Sequence, residues 1–386
     1  MPLSPVKGFR AAIGSCAALL VSAVATAAAA ATSVTVFPQA PLPAAAEYLP
    51  AFYGFIHAHT SYSIDYKGSG GETPADAFAF ARTTGGLDWM AVSDHSESYL
   101  NDDHWIDTAT AAEAATQEGS FVAFRAFEYS NATQGHLCVV NTEDWTSWLK
   151  DGSIASFFDW LSNYPAAVAT FNHPGSYDIF NNEFYHFQYR TDVAPMVVGL
   201  EMLNKDSTFD TRDAGYEGKI SYMDEAIQKG WWLASVSGED SHRADWGTMT
   251  DGRTGLLAPA LTKAELLSAF RERRFFTTED KNAYISFQHG GVEMGGAVTV
   301  AADSTFDVYF SDPDGEGWNR LEVYRNGVVA ASEALDNAGS GTAQVSVPLP
   351  DATDYYYVRV RQSDGERIQS APIWLTKSAT GTVATF

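Results

Sequence analysis

The chain has 386 residues, 45% of them hydrophobic and 19% charged, enough for two domains and a sizeable core. It carries 48 acidic residues against 24 basic ones, a net charge of −24. A surface of that sign disfavours long nucleic acids and anionic membranes as partners, but not a small anion in a pocket that holds cations.

Residues 1–31 read as a secretory signal peptide. Lys7 and Arg10 form a basic front, residues 11–31 are an apolar, alanine-rich run, and small residues near 27–31 offer cleavage positions. A secreted or periplasmic protein is therefore expected. A retained anchor is the weaker alternative, because alanine gives the run little hydrophobicity. No other segment is long and apolar enough to span a bilayer, so no membrane span is expected in the mature chain. Cys16 leaves with the signal and Cys138 remains alone, which excludes an intramolecular disulfide.

Residues 32–50 read as an extended lead-in. A buried strand is predicted over 52–56, followed by His57-Ala58-His59. Side chains on a strand repeat with period two, so the two imidazoles point the same way and make half of a metal-binding shell. Asp65 can return toward them from the next loop. Thr73 caps a helix with Pro74 at its first position and Asp76 at its third, and Gly85-Gly86 ends it. A strand over 87–93 runs into Asp94-His95. Further strands are expected over 121–127, ending at Glu128, over 136–140, over 166–172 before His173, over 196–203, and over 231–236 before Asp240-Ser241-His242. Helices over 223–229 and 263–273 lie among them. Strands alternating with helices imply a parallel sheet, and polar residues gathered after successive strands point to the C-terminal face of a barrel.

Near residue 286 the texture changes. Short alternating runs over 305–310, 320–324, 343–347 and 355–361 are separated by turn signals such as Asp312-Pro313-Asp314-Gly315 and Asn326-Gly327. They read as an antiparallel β-sandwich over 286–386 without a catalytic cluster. Trp318 is expected to pack the core or dock on the barrel, with a stacking surface for a glycan the weaker alternative.

The ordered motifs His57-Ala-His59, Asp94-His95, Glu128, Gly135-His136, Asn172-His173-Pro174 and Asp240-Ser-His242 together resemble the PHP (polymerase and histidinol phosphatase) metallohydrolase family. Thr60-Ser-Tyr-Ser and Gly252-Arg253-Thr254-Gly255 resemble its secreted, carbaryl hydrolase-like branch. The resemblance covers roughly residues 51–285. It implies an α/β fold, a distorted (β/α)7 barrel followed by the small β-sandwich, with two or three divalent metal ions. It also implies a ligand set. His57, His59, Glu128 and Asp240 would hold a first metal. Glu128 would bridge to a second, completed by His136 and His173. Asp65, His95 and His242 would hold a third. Some relatives carry histidine where Asp65 stands.

Imidazole and carboxylate together suit zinc, manganese or iron, and such ions bring the pKa of a bound water to about 7 and stabilise charge on a substrate oxygen. Asp94, beside His95, is a candidate orienter or proton shuttle, and His242 is counted with the catalytic candidates as well as the ligands. Arg243 and Arg253 are candidates for gripping an anionic substrate, because guanidinium matches phosphate and carboxylate geometry, with a salt bridge at the barrel rim the equal alternative. Glu201 and Asn204, at a strand end, are candidate pocket-lining residues. The expected activity is a metal-dependent hydrolase, with a small phosphate mono- or diester favoured. A hydrolase of a carbon-centred ester, carbamate or amide is the alternative, and a metal-holding binding module a further one. The sequence leaves oligomeric state open.

Overall fold

Residues 33–38 alternate small polar and apolar side chains and form strand β1 (Ser33–Pro38). The computed structural model describes residues 31–38, 48–98 and 100–379. The expected signal peptide, apart from residue 31, and part of the lead-in lie outside the described residues. β1 pairs antiparallel with a strand some 300 positions further on, Ser340–Val347.

The α/β part follows. Strand β2 (Ala51–Phe55) is succeeded by helix α1 (Pro74–Thr83), β3 (Trp89–Val92), α2 (Asp102–Ala115), β4 (Val122–Asn131) and β5 (Gly135–Val140). Then come α3 (Trp148–Asp151), α4 (Ile154–Leu161), β6 (Val168–Asn172), β7 (Val197–Asn204), α5 (Tyr222–Gln228), β8 (Ala234–Gly238), β9 (Arg253–Leu257), α6 (Lys263–Arg271) and β10 (Phe275–Thr278). Helix α1 starts as its sequence dictates: Thr73 and Asp76 form a reciprocal capping box. No helix among the described residues is long and apolar enough to cross a membrane.

β2 through β8 make one curled, half-barrel sheet in the order β2-β3-β4-β5-β6-β7-β8. It is mixed, not parallel as the alternation of strands and helices predicts. β2, β3 and β4 are parallel, as are β6, β7 and β8, but β5 runs antiparallel to both β4 and β6. The reason is the connection: three residues join β4 to β5, and a parallel crossover needs a dozen or more. The ends of β2 and β8 approach through a single parallel bridge, Ala58 with Ser241. β3 to β8 are buried throughout or nearly so, because helices and the other strands cover both faces.

The remaining strands are β11 (Tyr284–His289), β12 (Val292–Glu293), β13 (Ala297–Val300), β14 (Ser304–Ser311), β15 (Trp318–Arg325) and β16 (Val328–Ala334). β17 (Ser340–Val347), β18 (Thr353–Gln362), β19 (Arg367–Gln369) and β20 (Ile373–Lys377) complete the chain. One five-stranded sheet has the order β1-β17-β14-β11-β12. The others extend the large sheet through the antiparallel pair β19 and β10. The alternating burial of β14 and β17 shows their solvent and core faces. The expectation of a purely antiparallel arrangement fails at one place, where β13 pairs parallel with β20. Trp318 is fully buried and donates to the Gly339 carbonyl, so it packs the core and offers no glycan surface.

Candidate metal centre

The expected ligands converge at one place. His57 and His59 leave the end of β2, and the backbone there is fixed by Asp240 N–H donating to His57 O and His59 N–H donating to Ser241 O. His57 Nε2 lies 3.1 Å from His59 Nε2. Glu128 lies inside β4 rather than after its end, opposite Cys138 in β5. Its Oε1 is 3.1 Å from His57 Nε2, 3.2 Å from His136 Nδ1 and 3.4 Å from His173 Nε2. Its Oε2 is 2.8 Å from His95 Nδ1 and 3.7 Å from His59 Nε2. The two oxygens thus serve two different groups of imidazoles. Asp240 Oδ1 lies 3.3 Å from His59 Nε2 and 3.2 Å from His242 Nδ1. Asp65, half exposed, places Oδ1 3.1 Å from His242 Nε2 and 3.4 Å from His95 Nε2.

The hydrogen bonds fix the tautomers, and the tautomers test whether cations fit. His57 Nδ1 faces the Glu201 carboxylate at 2.8 Å, so Nδ1 carries the proton and Nε2 a lone pair. Ser63 Oγ donates its one proton to Asp94, at 2.7 Å, so it accepts from His59 Nδ1 at 2.9 Å. His59 Nε2 therefore also presents a lone pair. Two buried lone pairs face each other between the Glu128 and Asp240 carboxylates, an arrangement that repels itself unless a cation or a proton is shared. His242 repeats the pattern. Its Nδ1 donates to the Asp240 carbonyl, which leaves Nε2 facing Asp65 Oδ1 at 3.1 Å. Overlapping groups bring metal-type ligand atoms within 4.8 Å of one another, among them His57-His59-Glu128, His57-His173-Asp240, Glu128-His136-His173 and His59-His95-His242. The residues fit divalent cations with nitrogen and oxygen ligands.

Without a cation, a proton fills that role. Burial disfavours charge on His57, but Cys138, Glu128, Glu201 and Asp240 outweigh it and hold the ring well above the usual histidine range. Burial, with His242 and His95, holds His59 well below that range, and burial brings His136 down to about 4. Burial alone would raise Glu128; His57, His136 and His95 instead hold it well below the carboxylate range. The backbone at His173, Asp240 and Lys205 has φ of 29°, 48° and 55°, left-handed conformations that cost energy at non-glycine residues and gather at functional sites.

The other candidates divide. Asp94 does not face the cluster. It accepts from Thr60 N at 2.6 Å, Thr60 Oγ1 at 2.7 Å and Ser63 Oγ, and so holds the loop that carries His59. Arg243 is exposed and directly follows His242. Arg253 overturns its expected role. Its guanidinium is buried and donates to the carbonyls of Thr250, Gly252 and Gly247, out of a substrate's reach. Arg253→Ala should leave those acceptors unsatisfied and cost about 2 kcal/mol of stability, read as a lower Tm. The ratio of phosphoester to neutral-ester turnover should not change; a selective loss of phosphoester activity would restore Arg253 to the site. His104, His186 and His289 stand apart from the cluster, stacked on Tyr62, stacked on Tyr216 and edge-on to Phe306.

Three residues gain roles that sequence patterns did not give them. Glu201 is fully buried and aligns His57 directly. Gly238 leaves room for it, since a Cβ there would lie 2.1 Å from Glu201 Oε1. Lys205 brings Nζ to 3.0 Å from Asp240 Oδ2 while remaining half exposed. Glu97 contacts Ser130, the partner of His95, and burial pushes its carboxyl up to about 7.

No family model and no curated protein matches the chain. Among solved structures, it is similar to a two-domain protein from Bacteroides vulgatus described as containing a predicted PHP-like metal-dependent phosphoesterase. The identity is 14% over 85% of this chain and 95% of that one, with a TM-score of 0.46. It is also similar to fibronectin(III)-like modules of CbhA from Clostridium thermocellum, at 12% identity over 24% of this chain and 97% of that one, TM-score 0.19. A lytic polysaccharide monooxygenase of Jonesia denitrificans gives 14% identity over 22% of this chain and 57% of that one, TM-score 0.18.

Proposed function

We propose that the chain is a metal-dependent hydrolase of the PHP type, acting outside the cytoplasm on a small phosphate mono- or diester. The observation that carries this reading is the pair of buried ring nitrogens, His57 Nε2 and His59 Nε2, 3.1 Å apart and flanked by the Glu128 and Asp240 carboxylates. Export rests on the signal-like amino-terminal run alone.

His57, His59, Glu128, Asp240, His136 and His173 would hold two divalent ions, and His95, His242 and Asp65 a third. When bound, such ions supply Lewis acidity and lower the pKa of water. The protein's own groups do the rest. Glu201, Ser63 and the Asp240 carbonyl orient the rings of His57, His59 and His242 and hold their protons on Nδ1. Lys205 and Arg243 place positive charge where an anionic substrate enters. Glu97 accepts from the Ser130 backbone N–H and so braces the strand whose Ser130 hydroxyl meets His95.

The test is turnover by protein loaded with zinc or manganese on aryl phosphate, phosphodiester, carboxylate ester and carbamate substrates. Phosphoester turnover that vanishes on metal removal is expected. Turnover only of the carbon-centred substrates would overturn the substrate class while keeping the metal centre. Arg243→Ala should lower kcat/KM for a phosphoester by about tenfold, one charged hydrogen bond, and leave a neutral ester unaffected. Equal losses on both would show that Arg243 does not grip the anion.

A further inference from the structure

Past β6 the chain turns sharply. His173 has φ of 29° and Gly175 of 89°, and a Cβ at Gly175 would lie 2.3 Å from the Tyr222 hydroxyl oxygen, so glycine is required there. The turn brings Tyr177 back over the ligands the strand has just delivered. Its ring stacks on His136 with centroids 4.2 Å apart and planes 24° from parallel. The centroid of His173 lies 5.4 Å away. Both imidazoles belong to the group that meets at Glu128 Oε1.

Stacking does not need the hydroxyl, since phenylalanine would cover His136 equally well. Tyr177 is only partly buried, and among the described residues its hydroxyl makes no hydrogen bond. The charged groups that act on it are Glu128, Asp240, Asp65 and His57. These come from the ends of β2 and β8, from β4 and from the loop after His59, so the phenol senses the whole cluster rather than His136 alone. It has a proton to donate and no protein group to receive it.

Its position is fixed from behind. Glu183 is fully buried and commits its carboxylate to this turn. Oε2 accepts from Gly175 N at 2.5 Å, and Oε1 accepts from Tyr177 N at 2.9 Å. The Tyr216 hydroxyl donates to Oε2 at 2.5 Å and holds the carboxylate in turn. Glu183 N donates to Asp178 Oδ1 at 3.0 Å, which closes the loop on itself. A free donor held this firmly suits an oxygen on which negative charge develops, because nothing has to reorganise when the charge appears.

We propose that Tyr177 contacts the substrate, its hydroxyl donating a hydrogen bond to an oxygen of the group being hydrolysed, and that Glu183 is the positioning residue that holds it there. The inference rests on the reading of the cluster as the centre of a metal-dependent hydrolase.

The test uses the full chain loaded with zinc or manganese. Tyr177→Phe keeps the stacked ring and removes only the hydroxyl. It should lower kcat/KM on the best phosphoester by about tenfold, with metal content and Tm unchanged. Calorimetric titration with inorganic phosphate should show binding weakened by a similar factor. Glu183→Gln has one acceptor where two sides need one, and should lower kcat/KM as well. In the Tyr177→Phe background it should cost little more, because both changes act through one hydroxyl. Wild-type kcat/KM and phosphate affinity in Tyr177→Phe would make Tyr177 a cover for His136 and overturn the proposal. Loss of metal from that variant would overturn it too, by placing the effect on the ligand ring. Fully additive losses would overturn the role of Glu183. A wild type that hydrolyses only carbon-centred esters, with that rate still lowered in Tyr177→Phe, would overturn the phosphoester reading and keep the contact. A wild type that neither turns over any of these substrates nor binds phosphate would overturn both.

Discussion

Glu128→Gln is expected to lower kcat/KM by at least about a thousandfold, roughly 4 kcal/mol, without unfolding the protein. Both oxygens of Glu128 are engaged, on different sides. Oε1 faces His57, His136 and His173, and it also accepts from Asn172 Nδ2 at 2.8 Å. Oε2 faces His95 and His59. A glutamine keeps its carbonyl toward Asn172, because that side chain can only donate from Nδ2. The amide NH2 then occupies the Oε2 position. There it presents protons where an anionic ligand stood, and the link between the two imidazole groups is cut. The fold should survive, because β4 is held by Phe124, Ala126 and Phe127 in the core and by its ladders to β3 and β5. The measurement is kcat/KM on the best substrate, with metal content by elemental analysis and the Tm of the metal-free protein. Activity within a few-fold of wild type, at reduced metal content, would show that one metal suffices and that Glu128 does not bridge.

The parts of this architecture that sequence made legible are those set by neighbours in the chain. His57 and His59 share a face because strand side chains alternate, and the structure brings them together. The capping box of α1 is written in four consecutive residues. The β4–β5 hairpin stayed hidden, because the sequence reading ends one strand at Glu128 and starts the next at 136; the three-residue connection exists only because β4 runs on to Asn131. What else escaped depends on contacts distant in sequence. Nothing near Arg253 shows that its guanidinium turns inward to the carbonyls at 247, 250 and 252; the flanking glycines look like an exposed loop. β1 looks like a linker because its partner lies in β17. Lys205 reaches Asp240 only because the backbone there turns left-handed, a conformation that sequence rarely announces for lysine.

Glu201 is the residue whose importance depends most on such a contact, and Glu201→Gln should weaken the first divalent ion by ten- to a hundredfold. Oε1 takes the proton of His57 Nδ1, while Oε2 accepts from His173 N at 2.8 Å and Asn204 Nδ2 at 3.0 Å. A glutamine has one acceptor for these two sides. The His173 N–H is a fixed donor, whereas an imidazole can move its proton. The carbonyl therefore stays with His173 and Asn204, and the NH2 turns to His57 Nδ1. His57 must then accept there and carry its proton on Nε2, which removes the lone pair facing His59. The variant becomes a positioning defect with a distinct signature. A competition titration against a chromophoric chelator should show weakened zinc or manganese. Raising the metal concentration should restore most of kcat, which it should not do for Glu128→Gln. Far-UV circular dichroism and Tm of the metal-free variant check that the fold is intact. Unchanged metal affinity in a folded Glu201→Gln protein would mean that His57 keeps its tautomer without Glu201, and that the 2.8 Å contact packs the ring without directing its proton.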